Sequence, residues 1–195
     1  MWTSKEEIRE YVWNLMVKEK IAAFPLPPHG RIPNFVGAAE ASRQIRKLPE
    51  YRLAQCVFSP PDAALMHFRR MVLNDGKILA YSTPHMKSFK MMKPGKEAKV
   101  AIKDLIGGGE PLTVKVDIAV VGSVAVDRKG NRIGKGSGYG DKELAYLKER
   151  NPNLLSGTLV HSTQVFDDFS HLVGEHDIPV DFILTEKELI KTTKH

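Results

Sequence analysis

Between Asp127 and Asp141 the chain reads Asp-Arg-Lys-Gly-Asn-Arg-Ile-Gly-Lys-Gly-Ser-Gly-Tyr-Gly-Asp, with glycines at the alternate positions Gly134, Gly136, Gly138 and Gly140. Such a run builds no core and is costly to order, so it marks backbone that must approach a ligand closely. Arg128, Lys129, Arg132 and Lys135 bring positive charge to the same loop, and Tyr139 and Asp141 end it. An apolar run, Ile118 to Val126, precedes the loop, and a helical stretch, Lys142 to Arg150, follows it. A basic, glycine-rich turn from a strand into a helix N-terminus is a place where main-chain amides can hold phosphate.

Counting excludes two common phosphate loops. A P-loop needs four residues between its first glycine and Gly-Lys, followed by Ser or Thr. Here Asn131, Arg132 and Ile133 alone separate Gly130 from Gly134-Lys135, and Gly136 follows. The dinucleotide fingerprint needs a third glycine three residues after the second. Those positions hold Tyr139 and Asp141. Other reactive residues are sparse. Cys56 lies in an apolar strand candidate and reads as an inert core thiol rather than a nucleophile. His85 follows a strand end, where it is either a solvated loop residue or a polar contact at the active edge. No Cys or His pair has zinc-site spacing.

The elements that must position these groups alternate. Ser4 and Glu7 form a capping box, and Ile8, Val12, Leu15 and Met16 repeat at helical spacing, which predicts a helix from about Lys5 to Ile21. Lys5 and Arg9 share a face of it, either as solvated cations or as partners for an anion held nearby. A proline-rich loop spans residues 24–37, and Gly37 to Leu48 reads as a second helix. Strands are predicted at Leu53–Phe58, Lys77–Ser82, Ile118–Val126, Thr158–Ser162 and Phe182–Thr185. Helices capped by Asp62 (to Asn74) and spanning Glu97–Ile106 fall between them. The alternation implies one three-layer α/β/α domain over residues 1–195, Rossmann-like, with a mostly parallel sheet covered on both faces. Ligands then bind beyond the carboxyl ends of the strands, where the glycine loop lies.

Arg132-x-Gly134-x-Gly136-x-Gly138-Tyr139-x-Asp141 resembles the signature of the 5-formyltetrahydrofolate cyclo-ligases, or methenyltetrahydrofolate synthetases. Lys5-x-x-Ile8-Arg9 is similar to that family's N-terminal motif, and Ala125-Val126-Asp127 with Gly130-x-Arg132 to its central run. His176-Asp177-x-Pro179-x-Asp181 with Ile183–Thr185 resembles its closing strand region. The chain departs from the pattern at Gly140, where the family has a second tyrosine, and at Gly122-Ser123, where it has Pro-Gly. Asp62 falls where the family has a glutamate, and residues 24–37 have no counterpart.

The resemblance implies ATP- and Mg2+-dependent closure of 5-formyltetrahydrofolate to 5,10-methenyltetrahydrofolate through a phosphorylated formyl group. It assigns the triphosphate to Lys5, Arg9, Arg132 and the loop Gly134, Gly136, Ser137, Gly138 and Tyr139, with Lys135 as a further contact. Asp141 and Asp177 resemble the metal aspartates, although Asp141 also reads as a helix N-cap. Arg132 and Tyr139 are the catalytic candidates, and Asp62 with Tyr139 faces the folate.

Composition limits the partners. Over 195 residues the 42% hydrophobic and 27% charged content is that of an ordinary soluble protein. The apolar runs fall short of membrane-spanning length, the first twenty residues do not read as a signal peptide, and the lone cysteine fits a reducing cytoplasm. A net charge of +6 favours an anionic partner. Lys87, Lys90, Lys93, Lys96, Lys99 and Lys103 form either a solvated face or a site for a polyanion such as a polyglutamylated folate tail. The competing function is a homologue that binds ATP without cyclising, repurposed as a module for RNA or a protein partner. Nucleic acid is disfavoured, because no RNA motif is present and 8% aromatic residues leave few for a stacking surface. A monomer or weak dimer is expected.

Overall fold

In the computed structural model, which describes residues 1–95 and 98–193, apolar runs become the strands of one sheet. Lys96 and Glu97, part of the expected lysine cluster and the start of an expected helix, lie outside the described residues. Helix α1 (Lys5–Lys18) starts where Ser4 Oγ accepts the Glu7 amide at 3.1 Å, while the Glu7 carboxylate takes the Thr3 hydroxyl at 2.7 Å. It stops short of Ile21, because Lys20 turns into the left-handed region (φ 57°) and the Ile21 amide reaches back to Met16 O at 2.8 Å. Strands β1 (Ala22–Ala23) and β2 (Asn34–Phe35) pair antiparallel and close the proline-rich loop at its base.

Helices α2 (Ala38–Arg43) and α3 (Pro49–Leu53) lead into β3 (Cys56–Phe58), and α4 (Met66–Asn74) leads into β4 (Ile78–Ser82). Then come β5 (Phe89–Met92), α5 (Ile102–Gly107), β6 (Glu110–Pro111), β7 (Ile118–Gly122), β8 (Ala125–Asp127) and β9 (Arg132–Ile133). Helix α6 (Tyr139–Arg150) is followed by β10 (Leu155–Leu159), β11 (Val165–Phe166), β12 (Phe182–Leu184) and β13 (Leu189–Lys191).

The sheet order is β13-β12-β10-β7-β3-β4-β5-β6. Its five central strands, β12 to β4, are mutually parallel, and β13, β5 and β6 add antiparallel edges. Alternate residues feed two cores. Val57, Leu79, Tyr81, Ile118 and Val120 pack against Ile8, Val12 and Met16 of α1 and Phe68 and Val72 of α4. Cys56, Phe58, Ala80, Ala119 and Val121 pack against Leu144 and Leu147 of α6. Two faces with a core on each side give the expected α/β sandwich with a largely parallel sheet. No helix among the described residues is long and apolar enough to cross a membrane.

The expected strand Ile118–Val126 is two strands. After Gly122 the chain leaves the large sheet, and β8 joins β9 and β11 in a separate three-stranded sheet. The buried Gln164 side chain satisfies the carbonyls at the break, donating to Ser123 O at 3.0 Å and Val124 O at 3.1 Å. The second departure is at the loop: α6 begins at Tyr139, three residues earlier than the periodicity predicts, so Asp141 lies in its first turn instead of capping it.

Candidate active site

The carboxyl ends of β3, β4 and β7, the glycine loop and the start of α1 enclose a cleft of about 440 Å³. Lys5, Arg9, Asp62, Arg132, Tyr139, Asp141, Asp177 and residues 134–138 all line it. The loop leaves its amides open. Among the described residues, none of the amides of Gly134 to Gly138 donates a hydrogen bond to the protein. Gly138 caps α6 in the left-handed conformation (φ 76°) with no side-chain acceptor, so the first-turn amides are open as well. Glycine is needed there because a Cβ at that φ is strained.

Helix α1 carries the cations to the loop. Arg9 Nε donates to Gly134 O at 2.7 Å, and Lys5 Nζ meets Asp177 Oδ2 at 2.5 Å. Asp141 Oδ1 accepts the Ile178 amide at 3.0 Å, which ties the start of α6 to the segment that carries Asp177, and both aspartates line the cleft. Burial raises the Asp177 carboxyl, but the bonds from Lys5 and the Gly174 amide outweigh it and hold the group below its ordinary value. Asp141 Oδ2 and Asp177 Oδ1 carry no hydrogen bond from the described residues. One free oxygen on each of two carboxylates lining the same cleft suits a hard divalent cation that takes its other ligands from phosphate and water. No group of three or more His, Cys, Asp or Glu among the described residues has metal-binding geometry.

Arg132 is almost fully buried at the floor of the cleft. It donates to Gly122 O at 2.7 Å and Ser123 Oγ at 3.0 Å, and it meets Asp141 Oδ1 at 3.5 Å. Burial lowers its pKa, and Asp141, Glu143, Asp62 and Asp177 oppose that shift. Gly140 explains how the guanidinium fits: a Cβ there would sit 2.7 Å from Arg132 Nη2. At this position, where the family signature has a second tyrosine, a side chain would require the arginine to shift.

Asp62 is recessed in the wall. Burial raises its carboxyl, and the charges of Lys135, Arg69 and Arg132 oppose the shift. Its backbone is held by Arg69, which donates to Asp62 O at 2.7 Å and Pro60 O at 2.8 Å, and to Val100 O at 3.2 and 3.3 Å. Tyr139 faces His85, with the phenol oxygen 3.4 Å from Nδ1 and the rings edge to face, so His85 belongs to the cleft and is not a remote loop residue. Lys135 lines the cleft without a hydrogen-bond or ion-pair partner among the described residues.

Sequence reasoning overlooked Glu143, Ser82 and Arg31. Glu143 is buried on α6, accepts the Ser82 hydroxyl and lines the cleft. Burial raises its carboxyl to about 7, with Asp62 adding to the shift and the Ser82 bond and Arg132 opposing it. The available signal was its place four residues before Leu147, on the apolar stripe of the helix. The lysine cluster is divided. Lys90 donates to Ile106 O at 3.1 Å and Lys93 pairs with Glu110 at 3.3 Å, so those two serve the sheet edge.

Residues 2–186 match the model of the 5-formyltetrahydrofolate cyclo-ligase family. The methenyltetrahydrofolate synthase domain-containing proteins of Homo sapiens and Mus musculus are 39% and 38% identical, over 97% of this chain. The chain spans about half the length of these relatives, 54% and 55%. Among solved structures, the 5,10-methenyltetrahydrofolate synthetase of Aquifex aeolicus superposes with a TM-score of 0.64 at 22% identity, covering 98% of this chain and 94% of that one. That of Mycoplasma pneumoniae gives 0.56 at 13% identity, covering 93% and 98%. With its fold, its loop and its matched residues in agreement, the chain belongs to the 5-formyltetrahydrofolate cyclo-ligase family.

Proposed function

We propose that this protein uses ATP to cyclise 5-formyltetrahydrofolate to 5,10-methenyltetrahydrofolate. The observation that carries the reading is the row of five free amides, Gly134 to Gly138, in the lining of a cleft that also holds two aspartates with open oxygens. The formyl oxygen attacks the γ-phosphorus and ADP leaves. The neighbouring folate amine then attacks the activated carbon and phosphate departs. An amide-like oxygen leaves poorly as hydroxide and well as phosphate, which is why ATP is consumed. Positioning and charge neutralisation are the protein's contribution.

Each group has a place in that scheme. The loop amides and Arg9 hold the triphosphate, with Lys5 fixing Asp177 beside them. Magnesium, held by Asp141 and Asp177 in this reading, supplies charge neutralisation at the phosphates. Arg132 acts from the floor, keeping Asp141 oriented and offsetting the surrounding carboxylates. Asp62 and Glu143 offer acceptors to the N–H-rich edge of the pterin, and Tyr139 contacts the transferred group or stacks on the ring.

The test follows the absorbance of methenyltetrahydrofolate with substrate, ATP and magnesium. Activity is expected in the wild type, and Asp141→Asn should raise the magnesium concentration for half-maximal rate by roughly 10-fold or more. A flat trace with ATP still bound would transfer the protein to the non-cyclising class.

A further inference from the structure

Residues 24–37, which lie outside the motifs that carry the resemblance, are fastened over the cleft at several points. Ile32 covers Gly122 so closely that a Cβ there would lie 2.4 Å from Ile32 Cγ2. The Trp13 indole donates to Arg31 O at 3.1 Å, the Arg31 amide donates to Pro28 O at 3.0 Å, and Arg31 Nε donates to Pro27 O at 3.2 Å. The glycine at 122 thus makes the seat that Ile32 occupies. The outcome is that Arg31 lines the cleft beside the glycine loop.

Its placement follows the helix. Lys5, Arg9 and Trp13 are four residues apart and share one face of α1. Arg31, held by Trp13, therefore extends the cation row that begins with Lys5 and Arg9. The other members are already engaged: Lys5 with Asp177, Arg9 with Glu6 at 3.1 Å, and Arg132 with Asp141. Arg31 has no carboxylate partner among the described residues, and its two terminal nitrogens make no hydrogen bond to them. A guanidinium with a fixed backbone and a free fork suits a phosphate.

We infer that Arg31 is a binding residue for the polyphosphate of the nucleotide, supplied by the proline-rich loop and absent from the signature that marks the rest of the site. The inference rests on the reading of the cleft as an ATP site. It is tested with a fluorescent ATP analogue and the matching AMP analogue on wild type, Arg31→Gln, Arg31→Lys and Ile32→Ala. Arg31→Gln keeps a donor for the Pro27 carbonyl and removes the charge. It should weaken the ATP analogue roughly 10-fold and leave the AMP analogue unchanged. Arg31→Lys should retain part of the affinity. Ile32→Ala, which frees the loop with its charge intact, should shift in the same direction by less. Equal ATP binding by wild type and Arg31→Gln overturns the inference. So does a change confined to the KM of a polyglutamylated folate, which would assign Arg31 to the carboxylate tail. Failure of the wild type to bind the ATP analogue removes the ATP reading itself, and the inference with it.

Discussion

Two arginines are buried to the same degree, Arg69 at 1% exposure and Arg132 at 4%, and they have opposite surroundings. Arg69 gives its hydrogen bonds to the carbonyls of Pro60, Asp62 and Val100, and burial lowers its pKa to about 10. It is a staple between the ends of two chain segments, and Asp62 is oriented through its own backbone. Arg132 bonds a carbonyl, a hydroxyl and a carboxylate, with four acidic groups acting on its charge. Burial alone therefore does not assign a role to a cation. The partners do: neutral carbonyls make a wall, carboxylates make an electrostatic centre.

Substitution at each site separates the two roles. The largest effect is expected for Arg132→Leu, which leaves Asp141, Glu143 and Asp62 facing one another without their cation. Loss of about 3–5 kcal/mol in urea unfolding is expected, with no measurable cyclisation. A variant that kept ATP-analogue binding and turnover would place Arg132 with the staples. Arg69→Met comes next. It strands buried carbonyls and should cost about 2–3 kcal/mol, raising the KM for folate through a displaced Asp62 while nucleotide affinity stays within about 3-fold. Loss of nucleotide binding in that variant would erase the distinction.

The smallest effect sharpens the electrostatic side. Glu143 is raised from 4.5 to about 7 by burial, so the folded protein holds its proton more tightly than the unfolded chain. Its contribution to stability is complete below about pH 4.5 and declines as pH rises through about 7. Glu143→Gln, a neutral isostere, should melt with the wild type at pH 5 and above it at pH 8. An equal melting temperature at both pH values would mean that Arg132 fully compensates the ionised carboxylate.

Four of the five parallel strands were legible as apolar runs bounded by Gly, Pro or polar residues, whereas β10, Leu155-Ser-Gly-Thr-Leu159, carries three small or polar residues and begins three residues before the expected Thr158–Ser162. Strands β5 and β13 were not, since Phe89-Lys-Met-Met92 and Leu189-Ile-Lys191 are short edge strands whose pairing depends on a neighbour distant in sequence. The break at Ser123 was hidden within an unbroken apolar stretch; Gln164, far along the chain, stabilises it. The same division holds at the cleft. The glycine loop, Asp141 and the cations of α1 could be listed from local pattern and resemblance. Glu143 and Arg31 could not, because what brings them to the cleft is the docking of α6 on the sheet and of Ile32 on Gly122.

The contact between Lys5 and Asp177 joins positions 172 residues apart. Contacts of such separation form late, after the intervening chain has found its topology. Neither an emerging nascent chain nor an early refolding species can hold this pair, however much of the sheet it has built. Under the proposed ATP reading, nucleotide capture would be a clock for the finished molecule: in refolding, it should appear after the secondary structure.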